Sequence, residues 1–273
     1  MLRNNCTRFL ALLAIAAPIL YRPPAVLAQV VNVDPEARIV EPIVTEETMP
    51  NEPGDWDLRL SGSYMRDGTA RSGFLPSAQL FFGIAERWGG EVQVPLAFVR
   101  DGTNHYGLGD VSTSLKYLVR KPGGHLPGLV LGIEATFPSG NTEKRLGEGV
   151  FEAAPLVAIV KASQQAVLQG NVGYAAVHKI RETDATNQLF YNGAAAFRVQ
   201  PLNGWFVGEI NGTHGSGENR IALSPGWKYD LAPERFLAVA FPIGLNSQTP
   251  RIGIILQMQF TLRSATQQKG EAR

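Results

Sequence analysis

The chain has 273 residues, with 25 Lys and Arg against 24 Asp and Glu, and it holds a single cysteine. That near-neutral balance gives no electrostatic basis for a nucleic-acid partner, and one cysteine cannot staple a disulfide scaffold. No phosphate loop, dinucleotide fingerprint or metal-ligand spacing occurs along the sequence, so no cofactor and no metal are expected.

The N-terminus reads as a secretory signal over residues 1–28. Arg3 and Arg8 give a positive start, Phe9 to Leu20 is an apolar run too short to span a bilayer, and Val26-Leu27-Ala28 is a small-residue processing site. Cleavage there leaves Gln29 first and removes Cys6, which suits an exported chain without thiols. Residues 29–54 carry Pro35, Pro42, Pro50 and Pro53 among six acids. Proline at that spacing suits neither helix nor ladder strand, so an extended, flexible periplasmic arm is expected.

From residue 55 to 262 the pattern changes to segments whose apolar residues fall on alternate positions, the period of a strand with two unlike faces. They run Asp55 to Met65, Phe74 to Gly83, Trp88 to Phe98, Gly107 to Val119, Gly128 to Phe137 and Val150 to Val160. The second half gives Ala166 to Val177, Gln188 to Val199, Trp205 to Asn211, Asn219 to Tyr229, Arg235 to Leu245 and Arg251 to Leu262. Strands of soluble sandwiches average about five or six residues, whereas a transmembrane strand needs roughly nine to eleven. The longer kind dominates here. After the signal, no apolar stretch is long enough for a spanning helix, and only helices or closed barrels satisfy every backbone group in lipid. The fold class expected is therefore all-β: a transmembrane antiparallel β-barrel of about twelve strands, within a range of about ten to fourteen. A polar tail, residues 263–273, follows it.

Loop lengths give a second pattern, since bacterial barrels have short periplasmic turns and longer outer loops. With the first strand rising from the periplasm, the outer loops expected are Asp101 to Tyr106, Pro138 to Gly149, His178 to Asn187 and Gly212 to Glu218. Most of the alternate connections, such as Ile84 to Arg87 and Pro201 to Gly204, are shorter, and Lys121 to Pro127 is the exception.

Alternation assigns Asp57, Arg59, Glu91, Lys116, Glu134, Arg198, Glu209, Lys228 and Arg251 to the lumen. Charge there tunes selectivity, while charge facing lipid is expensive. The same acids and bases equally suit cross-strand pairs that hold the barrel rigid. Glycines at a barrel rim, as in Gly107, Gly109 and the adjacent Asp110, more often serve a bulge or close backbone approach than a ligand. His105, His125, His178 and His214 fall in loops without metal-ligand spacing. Ser216, His214 and Glu218 are neighbours in sequence, but sequence proximity does not make a catalytic triad. Asn211-Gly-Thr213 fits a glycosylation sequon, and its Asn-Gly is better explained as a turn.

The run Gly107-Leu-Gly-Asp110, leading into Val111-Ser-Thr-Ser-Leu-Lys116-Tyr117, resembles the signature of the MetA-pathway of phenol degradation family. Phe137-Pro138-Ser139-Gly140 is similar to that family's Pro-Thr-Gly turn, with Ser139 in place of threonine. The resemblance implies a Gram-negative outer-membrane barrel that moves small compounds, aromatic or hydrophobic ones among them. It also implies outer-membrane lipid and the barrel-assembly machinery as partners, with Phe260 the candidate terminal aromatic that this machinery reads. The leading expectation is a passive channel with no enzymatic activity, its polar lumen restricted by outer loops or by the arm. The other readings are a closed structural or binding barrel, an outer-membrane hydrolase, and a soluble periplasmic β-sandwich.

Overall fold

The computed structural model describes residues 42–44, 49–66, 72–101, 103–123, 125–232 and 235–262. The expected signal peptide, most of the arm (29–41 and 45–48) and the 263–273 tail lie outside them. Strand segments are β1 (Trp56–Arg66), β2 (Ser72–Ala85), β3 (Trp88–Asp101), β4 (Thr103–Leu108), β5 (Val111–Arg120), β6 (Gly128–Phe137) and β7 (Val150–Ala162). They continue as β8 (Ala166–Lys179), β9 (Gln188–Val199), β10 (Gly204–Gly215), β11 (Glu218–Ala232), β12 (Arg235–Ala240), β13 (Ile243–Gly244) and β14 (Ile252–Leu262).

All pairings within the sheet are antiparallel, and β14 returns to β1 in unbroken register from Trp56↔Leu262 to Arg66↔Ile252. The ladder therefore closes and leaves no edge to satisfy. Two barrel strands are each split in two. Along β3, the pair Leu96↔Leu108 gives way to Gln93↔Ser112, so β4 and β5 form one strand with one extra residue at Gly109–Asp110, a bulge. β12 and β13 keep one register on β11, from Gly226↔Ala240 to Leu223↔Ile243, and part at Pro242, which has no N–H to give. The fourteen segments are thus twelve barrel strands, as the alternation predicts.

Exposure follows the pleat. On β14, Ile252 and Ile254 are exposed while Gly253, Ile255, Gln257 and Gln259 are buried. Large apolar side chains point outward on strand after strand, including Leu60, Val94, Leu131, Ile159, Val172 and Ile210, which forms a surface suited to lipid. Aromatic pairs edge this belt. Trp56–Phe82 (5.3 Å between rings) and Trp88–Tyr117 (4.7 Å) lie at the end where β1 starts and β14 stops, and Phe74–Phe98 (6.1 Å) and Phe137–Phe151 (5.6 Å) lie near the other mouth.

Two expected outer loops are not loops. Thr103 to Leu108 pairs with Leu96 to Asp101, so the connection expected over Asp101 to Tyr106 is a hairpin that prolongs the wall. β10 runs on to Gly215 and turns to β11 through Ser216 and Gly217, both at positive φ (46° and 82°), where a twelve-residue strand replaces the short one expected. That conformation suits a two-residue hairpin turn matched to strand twist. Both extensions are rich in Asn, His, Thr and Gly, residues that look loop-like because a hairpin standing in water needs no apolar face.

Candidate functional site

Because each inward side chain has a directly opposed neighbour on the next strand, the lumen can be read row by row. On β14, β1, β2 and β3 the inward residues include a group of neutral polar side chains, Ser61, Ser63, Ser77, Gln79, Gln93, Gln257 and Gln259. Ser61 and Ser77 hydroxyls lie 2.6 Å apart, and Gln79 Nε2 donates to Glu91 (3.2 Å) and Gln93 (3.4 Å). Arg59 Nε donates to Gln259 Oε1 at 2.8 Å, and its guanidinium lies 4.5 Å from the Phe81 ring centre. A cavity of about 290 Å³ opens along this wall, lined by Arg59, Ser61, Ser77, Gln93 and Gln257 among others.

The facing wall is different. Inward positions of β6 to β10 include Val130, Leu156, Val160, Val167, Ala196 and Val207, all buried. What covers them is the arm. Ile43 packs in a cluster with Val160, Val167, Trp205, Val207 and Phe236, and Met49 packs against that cluster and against Leu118, Val130 and Leu156. An apolar patch therefore interrupts the polar lumen that the sequence predicts, while Gln169, Asn171, Asn192, Glu209 and Asn211 still face inward on the same strands.

Side chains of the wall hold the arm by its backbone. Glu209, 1% exposed, accepts the N–H of Ile43 at 2.6 Å and that of Val44 at 3.0 Å. Gln257 Nε2 donates to the Ile43 carbonyl at 2.6 Å. Glycine makes room twice: a Cβ at Gly226 would stand 2.8 Å from Ile43 Cδ1, and one at Gly83 would stand 1.8 Å from the Glu52 carbonyl oxygen. Near its exit, Asn51 Nδ2 donates to Asp57 at 2.7 Å, and residues 53–55 bond to the Gly83 backbone.

The charged residues assigned to the lumen have definite places. Asp57, Arg59, Glu91, Lys116, Glu209 and Lys228 are buried on inward faces, and Glu134 and Arg198 are partly buried there. Lys116 Nζ lies 3.3 Å from Glu91, Arg198 pairs with Asp230, and Lys228 Nζ sits 3.5 Å from the Phe236 ring centre. Arg251 is exposed in the turn before β14, donating its N–H to the Arg66 carbonyl.

At the rim, Asp110 accepts the N–H groups of Gly140 (2.8 Å) and Glu148 (2.7 Å), and Ser139 Oγ donates to the Gly109 carbonyl. Gly107, Gly109 and Asp110 thus shape a bulge and anchor the 138–149 connection. Sequence reasoning by charge passed over Ser61, Ser77, Gln257 and the amide ladder of Asn171, Asn192 and Asn211, whose amides bond in sequence at 2.7 and 3.0 Å. The alternation alone would have placed them inward.

A closed antiparallel barrel with an apolar belt, aromatic rims and a part-polar interior defines a protein of the outer-membrane β-barrel class. Residues 55–262 match the MetA-pathway of phenol degradation family, and the chain belongs to it. The fold is similar to that of the COG4313 outer membrane channel from Pseudomonas putida F1 (13% identity, TM-score 0.65, covering 80% of this chain and 99% of that one). It is also similar to the KdgM porin in complex with disordered oligogalacturonate (8%, TM-score 0.55, 76% and 99%) and to the NanC porin (11%, TM-score 0.52, 76% and 99%). No curated protein matches the sequence.

Proposed function

We propose that this barrel is an outer-membrane channel through which small compounds, aromatic or hydrophobic ones among them, pass without covalent chemistry. The observation that carries the reading is the cavity of about 290 Å³ left along the polar wall beside the seated arm. The barrel encloses more space than its own side chains fill. Family membership supports the reading, and so does the similarity of the fold to a channel and to porins. The signal at residues 1–28 would export the chain, the end shared by β1 and β14 would face the periplasm, and Phe260 would be read by the assembly machinery. In this orientation the arm enters from the periplasmic side and restricts the passage.

Single-channel recording in a planar bilayer tests it, comparing the mature chain with one lacking residues 29–54. The expected result is a small steady conductance that rises several-fold on deletion. Silence from both chains would overturn the channel and favour a closed structural barrel, the reading to which the arm's packing on the apolar wall lends support.

A further inference from the structure

Two adjoining rows cross the outward face of β1 to β4, near the mouth opposite the arm's exit. The first is aromatic: Tyr64 on β1 stands opposite Phe74 on β2, Phe74 opposite Phe98 on β3, and Phe98 opposite Tyr106 on β4. The Phe98 ring lies 6.1 Å from Phe74 and 6.4 Å from Tyr106, and Tyr106 is 74% exposed. Two residues along each strand comes the second row, Arg66, Ser72, Arg100 and Asn104. The pleat keeps it on the same face, about 7 Å nearer the strand ends. Arg66 and Arg100 are exposed, and among the described residues their guanidinium groups make no hydrogen bond and no ion pair. Arginines at the other rim are engaged, Arg87 donating to the Val119 carbonyl at 3.2 Å and Arg120 to the Pro127 carbonyl at 2.9 Å. Among the described residues, no Asp or Glu holds an outward position on β1 to β4 that would balance the pair.

We propose that Arg66 and Arg100 form a binding site for the phosphate of an outer-leaflet lipid whose apolar body lies on the aromatic row. The proposal rests on the orientation given above, which turns this mouth outward, and adds a partner that the channel reading does not require. Aromatic girdles mark the level where hydrocarbon meets headgroups, so a row one strand repeat beyond them lies among the headgroups. A cation on the lipid-facing side is costly without a counter-charge, and the chain supplies none there. The planar fork of arginine donors matches phosphate oxygens two at a time. Neighbouring strands lie about 4.8 Å apart, so the two arginines, with the β2 strand between them, stand about 10 Å apart at the backbone. Two long side chains can close that gap on one phosphate. The pattern is local, because outward positions elsewhere around this mouth hold His178, His214 and Asn219, none of them a fixed positive charge.

Native mass spectrometry of the mature protein in detergent, titrated with diphosphoryl lipid A or with the same lipid stripped of its phosphates, tests the site. The phosphorylated form is expected to bind at least about tenfold tighter. Equal binding of the two would overturn the proposal with no variant needed. At about fivefold per arginine among headgroups, Arg66→Gln/Arg100→Gln should weaken lipid A about 25-fold and leave the stripped lipid within about twofold. Arg220→Gln removes the same kind of charge from the β10–β11 hairpin, where the side chain pairs with Glu218. That exposed pair is worth little, so lipid A binding should stay within about twofold. A folded double variant that keeps its lipid A, or an Arg220 variant as weak as the double one, would also overturn the proposal. Inorganic phosphate in large excess should leave lipid A in place, and displacement by it would make the row a site for free phosphate and end the lipid assignment. Binding is read without a membrane, so the two readings fail separately. Lipid A held through these arginines by a barrel silent in bilayers sinks the channel alone, and an open channel without the phosphate preference sinks the site alone.

Discussion

On the β6 to β10 side of the lumen, Val130, Leu156, Val160, Val167 and Val207 are buried, whereas Ser61, Ser63, Ser77, Gln79 and Gln93 on the β1 to β3 side are only half-buried. The strands share one geometry, so the difference comes from what each wall asks of the space in front of it. A row of inward valines exposed to water gives up roughly 1.5–3 kcal/mol per side chain relative to burial, and the arm supplies the cover through Ile43 and Met49. Serine and glutamine can face water at little cost, so the space before them stays open. The arm's apolar side chains Ile43 and Met49 serve the wall that gains from cover, while Gln257 on β14 and Asp57 on β1 bond the arm from the other side. Between the walls stands β5, which carries Lys116 of the buried pair with Glu91.

The largest effect should come from breaking the apolar wall. Val207→Asn removes a side chain that is 1% exposed and puts an amide where Ile43 and Trp205 pack. Lost burial and an unmatched polar group together should cost about 3 kcal/mol, read as a lower midpoint for urea unfolding in lipid. Next comes Glu209→Ala, which strands the N–H groups of Ile43 and Val44. Loss of these charge-assisted bonds should weaken the arm's seat by about 2 kcal/mol. Proteolysis of the arm should then speed up, and conductance should approach that of the chain without residues 29–54. An arm still protected would mean that apolar packing alone holds it. Third is Asp110→Ala, near the junction of the walls, which frees the Gly140 and Glu148 amides. Faster hydrogen exchange at those two amides, with about 1.5 kcal/mol of local stability lost, is expected while the lumen walls stay as they are.

Much of this division was legible in the sequence, and its gaps have physical causes. Gly128–Phe137 and Gln188–Val199 are strands with the predicted bounds because lipid on one side and a distinct interior on the other leave a clear period of two. The signal fades on β7, where Ala154, Leu156 and Ala158 face inward and Val157 and Ile159 outward. With both faces apolar, alternation cannot say which wall needs cover. The sequence named the arm as a candidate restriction of the lumen, but its seat was unreadable, since Glu209 and Ile43 are 166 positions apart in the chain and a proline-rich arm carries no period. Charge pointed to the inward-facing Glu209, but gave no hint that its partners are two backbone N–H groups of the arm.

The smallest effect belongs to the polar wall, and it is the sharpest check on the comparison. Ser63 is half-buried, and its hydroxyl makes one long contact, 3.5 Å to the Leu75 carbonyl. Ser63→Ala should change unfolding stability by no more than about 0.5 kcal/mol, as expected of a site whose side chain fills no packed space. Measured beside Val207→Asn under the same conditions, the pair should differ about sixfold in free energy, taking about 3 kcal/mol against about 0.5. A Ser63 variant as damaging as the Val207 one would mean that the polar wall is packed shut like its counterpart. The open side of the lumen, and the channel reading drawn from it, would then lose their footing.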